Sequence, residues 1–139
     1  MEGRVLGVDL GARRVGLALT DPLRMISSPM ETIPFVSVGA LVERLIRLCA
    51  ARGAQTVVIG LPLSADGSEG PGCARARLVA QRLTAAGLRA DLQDERWSSR
   101  DAEAILKESG KNRRAARGRT DAVAASLILR DYLSEASPP

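Results

Sequence analysis

The sequence predicts an α/β fold, a mixed five-stranded sheet in the element order βββαβαβαα with helices on both faces. Three observations lead there. Two short apolar, β-branched runs, residues 4–10 and 15–20, open the chain on either side of a four-residue turn, the pattern of a hairpin. Downstream, stretches with helical spacing alternate with further strand-like runs, as in parallel strands joined by crossovers. Residues 56–60 (TVVIG) are continuously apolar up to a glycine, as in a strand covered on both faces.

The elements follow in order. Residues 28–33 form a weaker third strand, and Pro29 and Pro34 mark it as an edge because proline cannot donate to a neighbour. A helix over 38–52 places Val38, Leu41, Val42, Leu45, Leu48 and Cys49 near helical spacing, and Gly53 closes it. After the strand at 56–60, a polar loop over 61–72 leads into a second helix that runs to about Ala86 and is closed by Gly87. Residues 89–93 are the fifth strand. A third helix starts near Ser98, where Ser98 and Asp101 have a capping-box-like spacing, and runs to Ser109 and Gly110. A basic loop follows, then a final helix from about Thr120 to Ser134. No internal repeat or linker interrupts this series, so residues 1–139 read as one domain.

Composition excludes several chemistries. There is no histidine, and Cys49 and Cys73 are too distant for a CxxC motif, which rules against zinc sites, Ser-His triads and Cys-His dyads. Cys49 falls on an apolar helix face, whereas Cys73 follows a glycine-rich loop and is compatible with exposure. Phe35, Trp97 and Tyr132 are the only aromatics, which argues against a single-strand binder that stacks successive bases. No apolar run approaches the ~20 residues of a membrane span, and the N-terminus lacks a signal-peptide pattern. A soluble, cytoplasmic protein is expected.

The charge is uneven. Residues 107–119 carry six basic residues, Lys107, Lys111, Arg113, Arg114, Arg117 and Arg119, against one acid, a local +5 in a chain of +4. Such a run is either a solvated loop or a grip on phosphates. Gly110 and Gly118 leave its backbone loose, and closure over nucleic acid beside Asp121 is expected.

Three acids stand near predicted element ends. Asp9 lies in an apolar strand, where a carboxylate needs a partner or a metal, or else it belongs to the following turn. Glu95 ends a strand, at the edge where open α/β sheets bind ligands, or it pairs with Arg96 or Arg100. Asp121 shares a helical face with Ala125, Ile128 and Tyr132, or it is a first-turn acid behind an N-cap at Thr120. Clustered, the three carboxylates would repel, and a hard cation such as Mg²⁺ or Mn²⁺ would remove that repulsion. An ion so held can activate water and stabilise a leaving oxygen in phosphodiester cleavage.

Four ordered segments, GVDLGARRVGLALTDP, VVIGLPLSADGSEGP, DERWSS and TDAVAASLILRDYL, resemble the YqgF/RuvX family over nearly the whole chain. The resemblance implies a ribonuclease H-like fold and, by motif position, Asp9, Glu95 and Asp121 as catalytic metal ligands. It also implies one of two jobs, maturing the 5′ end of precursor 16S ribosomal RNA or resolving Holliday junctions. Ala12, Trp97-Ser98-Ser99 and Thr120 depart from the usual family residues and remove no ligand. In the loop after TVVIG, Ser64 and Ser68 are candidates to hold a phosphate, with Asp66 and Glu69 as reserve ligands, or the loop is a plain connector. The first segment also resembles a phosphate loop of actin-like ATPases and sugar kinases, but those need a second such domain, and no Walker or GxGxxG motif occurs. The expected partner is structured RNA or branched DNA, with no membrane, and with both monomer and homodimer open. A non-catalytic RNA-binding assembly factor would use the basic segment and have no need of Asp9.

Overall fold

A computed structural model describes residues 3–63, 66–94 and 113–136. Its strands are β1 (Arg4–Leu10), β2 (Arg14–Thr20), β3 (Ser27–Pro34), β4 (Ala54–Leu61) and β5 (Arg89–Asp94). The described helices are α1 (Val38–Arg52), α2 (Pro71–Ala85) and α3 (Arg113–Ala136). The helix expected between Ser98 and Gly110 lies outside the described residues.

The sheet order is β3-β2-β1-β4-β5. β1, β2 and β3 are antiparallel neighbours, while β1, β4 and β5 run parallel. At the first hairpin, the Gly11 N–H donates to the Arg14 carbonyl at 2.9 Å. β3 is outermost, as its two prolines require.

Alternation along the strands divides the core. Leu6, Val8 and Leu10 of β1, with Val57 and Ile59 of β4, pack with Leu41, Leu45 and Cys49 of α1 and Ala76, Val79 and Leu83 of α2. Val5 and Val58 point the other way, with Ala18, onto Ala125, Ile128 and Leu129 of α3. The apolar run in β4 therefore serves both faces, and α3 alone of the described helices covers the second one.

The α1 helix shows why its limits were readable. Ser37 adopts an extended conformation and its hydroxyl accepts the Ala40 N–H at 3.1 Å, satisfying a first-turn donor. At the other end Gly53 has φ 73°, the left-handed cap that glycine adopts without strain, and its N–H returns to the Cys49 carbonyl.

Two expectations are corrected. Cys73 is fully buried, because it lies on the same α2 stripe as Ala76, Val79 and Leu83, with Sγ 3.6 Å from the Pro62 carbonyl. The final helix starts at Arg113 rather than near Thr120. Thr120 is thus interior to the helix and not an N-cap, and Arg113, Arg114, Arg117 and Arg119 belong to helical backbone rather than a loop.

Candidate metal centre at the crossing of β1, β2 and α3

Asp9 sits one residue beyond the level row Val8–Ile59–Leu92 that crosses β1, β4 and β5. It therefore lies towards the C-terminal ends of the parallel strands, where α/β sheets open to ligands. Successive side chains alternate between faces, so Asp9 shares the α3 face with Val5. Its position is partly exposed, unlike the four buried residues before it.

Directly opposite Asp9 on β2 is Gly16. A Cβ at Gly16 would lie 2.0 Å from the Asp121 carbonyl oxygen and 2.8 Å from the Ala122 nitrogen. The bare backbone of Gly16 is what lets α3 descend onto the sheet at the level of Asp9. Gly7, two residues back on the same face, has the same role further along, since a Cβ there would lie 2.5 Å from Leu129 Cγ. The Asp121 backbone thus rests on Gly16, the strand partner of Asp9.

Asp121 begins the stripe Asp121, Ala125, Ile128, Tyr132 along α3, the last three of which belong to the core on that face. Arg14 Nε lies 3.2 Å from Asp121 Oδ2. That contact is a charge pair and not a hydrogen bond, because the N–H is not aligned on the oxygen. Oδ2 is buried and accepts no hydrogen bond. Burial pushes the Asp121 carboxyl above its usual value, and the Arg14 charge pulls it partly back. A cleft of about 480 Å³ opens here, lined by Gly11, Ala12, Arg13, Arg14 and Asp121.

An acceptor-only oxygen, buried and without a hydrogen-bond donor, is chemistry that suits a hard divalent cation. The residues present fit such an ion. Glu95 lies outside the described residues. Asp94, immediately before it, pairs with Leu61 at the end of the sheet where Asp9 stands. Among the described residues no group of three or more metal-binding side chains occurs.

The remaining predicted residues divide. Lys107, Lys111 and Ser64 lie outside the described residues. Ser68 donates from both its amide and its hydroxyl to Asp66 Oδ1, at 2.9 and 2.7 Å, in a local turn. Glu69 is held at both carboxylate oxygens by Arg77 and sits below its usual value because of that hydrogen bonding. Sequence reasoning gave no weight to Arg14 or Gly16. Gly7 and Gly16 inside strand patterns were the available signal, since strand glycines mark close backbone approach.

The family model described as "RuvX: Holliday junction resolvase" matches residues 3–135. The chain belongs to the RuvX family. A relative from Chloroflexus aggregans, named "Putative pre-16S rRNA nuclease", is 37% identical over 139 residues, covering 99% of this chain and 98% of the relative. One of the same name from Anaeromyxobacter sp. strain Fw109-5 is 40% identical, covering 94% and 96%. Among solved structures, T. thermophilus RuvC in complex with a Holliday junction substrate superposes with a TM-score of 0.56 at 14% identity, over 96% of each chain. The nuclease of a large terminase from phage G20c superposes at 0.53 over 91% of this chain and 81% of that one. At such identities these likenesses establish the fold, which is ribonuclease H-like.

Proposed function

We propose that this RuvX-family chain is a single-domain, divalent-metal-dependent endonuclease that cuts phosphodiester bonds in structured nucleic acid. Its principal substrate on this reading is precursor 16S ribosomal RNA, at the 5′ end. The observation that carries it is the seating of the Asp121 backbone on Gly16, the strand partner of Asp9, with a buried, hydrogen-bond-free Asp121 oxygen at a cleft that Asp121 lines. The names of relatives at 37% and 40% identity support the choice of RNA.

Asp9, Glu95 and Asp121 would hold Mg²⁺ or Mn²⁺. Once bound, the ion supplies Lewis-acid stabilisation and an activated water. The chain contributes a cleft that orients the phosphate, with Arg13 and Arg14 on one wall as counter-charge. The basic residues Lys107, Lys111, Arg113, Arg114, Arg117 and Arg119 would add affinity for the backbone beside Asp121, and Ser64, with Ser68 once its donors leave Asp66, a phosphate contact. No described helix is long and apolar enough to cross a membrane, and the proposed place of action is the cytoplasm.

Resolution of branched DNA is the second reading, favoured by the description of the matching family model. It requires paired cuts and hence a homodimer. The test is purified protein with Mn²⁺ or Mg²⁺ on labelled precursor ribosomal RNA and on a four-way DNA junction, side by side. Defined metal-dependent cuts in the RNA alone support the first reading, and paired cuts in the junction alone the second. Binding of RNA with no cleavage under either metal would leave a non-catalytic assembly factor.

A further inference from the structure

The helical layer away from α3 is strongly basic. α1 and α2 together carry Arg44, Arg47, Arg52, Arg75, Arg77 and Arg82 against Glu43 alone, a net charge of +5. That equals the charge of residues 107–119, yet composition hides it, because acids elsewhere bring everything outside that segment to −1. Only the fold gathers these arginines. Leu41, Leu45, Cys49, Ala76, Val79 and Leu83 turn inward, which leaves Arg44, Arg47, Arg52, Arg77 and Arg82 exposed and Arg75 half-buried. Among the described residues, Arg77 is the one member of the six held by an acid, Glu69.

The arginines are arranged rather than scattered. Arg44 and Arg47, one turn apart, flank a shallow depression with Leu48 and Ala51. Arg82 reaches across from α2, with Nη1 3.8 Å from where a Cβ of Gly39 would stand, and so lies over the first turn of α1. Arg75 is two turns before Arg82 on the same face of α2, about 10.5 Å along the axis. Its guanidinium lies 4.8 Å from the centre of the Phe35 ring and donates to the Gly11 carbonyl at 3.3 Å. Gly11 lines the cleft beside Asp121. Basic residues therefore extend from the cleft, through Arg75, to Arg82 over the first turn of α1, with Arg44 and Arg47 further along that helix beyond Glu43.

Neither helix contains an aromatic residue, and the one ring beside them, Phe35, is already stacked by Arg75, so this face has no series of rings on which successive unpaired bases could stack. What it offers is the exposed guanidinium groups of Arg44, Arg47, Arg52 and Arg82, each able to fork onto phosphate oxygens. That suits the regular backbone of a duplex better than a flexible strand. We propose that the α1–α2 face is a second nucleic-acid surface, which holds the phosphate backbone of a duplex arm continuing past the cleft. The inference rests on the nuclease reading for the identity of its partner.

The test uses the full chain with Arg44, Arg47 and Arg82 together changed to Ala, none of which belongs to the candidate metal centre. Binding is measured against salt on two substrates that share a cut site and differ in one arm, of about 20 or about 5 base pairs. The shorter arm spans about 17 Å at 3.4 Å per step, less than the ~22 Å length of α1. On the long arm the slope of log Kd against log salt should fall by about 2–3, at ~0.7–0.9 per lost phosphate contact. The short arm should show no change, and Mn²⁺ affinity should be retained. An unchanged slope on the long arm overturns the proposal and points to an acidic protein partner for this face. An equal fall on both arms also overturns it, since the arm would then not be what the arginines hold. If the wild-type chain cuts neither substrate while the long-arm slope falls as stated, the nuclease reading fails and this surface stands.

Discussion

Asp121 is shaped by two opposed influences, burial that disfavours its charge and an arginine that favours it. Burial dominates, so the carboxyl binds its proton more tightly in the folded chain than in the unfolded one. Its contribution to metal-free stability is then fully present below the unfolded value and lost as pH rises through the folded one. Asp121→Asn should remove that part of the pH dependence, which denaturant melts across the acid range would read; an unaltered profile would refute it. Arg14 is partly exposed, and an ion pair of this kind contributes about 0.2–1 kcal/mol. It also competes with any cation for Asp121 Oδ2. Arg14→Ala should therefore tighten Mn²⁺ binding by up to about fivefold near pH 8, the equivalent of ~1 kcal/mol, as measured by calorimetry. Weaker binding would show instead that Arg14 holds Asp121 in its metal-binding rotamer. Asp9→Asn should abolish metal-dependent cleavage while the metal-free chain still folds, because Asp9 is only partly buried and Asn keeps its shape.

Among the elements, the seating of α3 on β1 and β2 controls the site. Gly16→Ala forces a methyl group into the Asp121–Ala122 backbone, and backbone cannot rotate away as a side chain can. The expected loss is about 1–3 kcal/mol, together with Mn²⁺ affinity, since Asp121 moves with its helix; wild-type metal binding in a destabilised Gly16→Ala would separate the two. Much of this architecture was legible beforehand. The strand runs of β1, β2 and β4 and the caps of α1 are written in local chemistry: β-branched residues, a serine before an apolar stripe, a glycine after it. Asp9 stood out because a carboxylate in a buried strand is anomalous. The start of α3 was not legible. Hydrophobic periodicity reports a helix packed against a core, and residues 113–119 (RRAARGR) have none. Alanine and arginine are nonetheless strong helix formers, enough to extend a helix already anchored at Ala122–Leu129. Arg14 and Gly16 were missed for another reason, because their roles exist only once register pairs Gly16 with Asp9.

Across the molecule, the proposed roles of the two basic regions and of the carboxylate site are separable by salt and by metal. The core is closed by apolar packing: Leu6, Leu17, Leu45, Ile59, Leu83 and Ile128 are fully buried on the two faces of the sheet. The chain should thus fold in chelator, unlike a small domain organised by structural metal. An ion that binds only the folded state adds RT ln(1 + [M]/Kd), about 2.7 kcal/mol at a hundredfold excess over Kd. Mn²⁺ should raise the melting temperature of the wild-type chain in step with that relation and leave Asp9→Asn nearly unmoved. Replacing Arg113 and Arg114 together with Ala should preserve the full metal-induced rise and lower only the salt slope for nucleic acid, by ~0.7–0.9 per lost contact. On the proposed reading metal affinity resides in the carboxylates and phosphate affinity in the arginines, so the two changes must not follow one another. If removing those arginines also cancelled the Mn²⁺-induced rise, the helical segment before Asp121 would be part of the metal site itself.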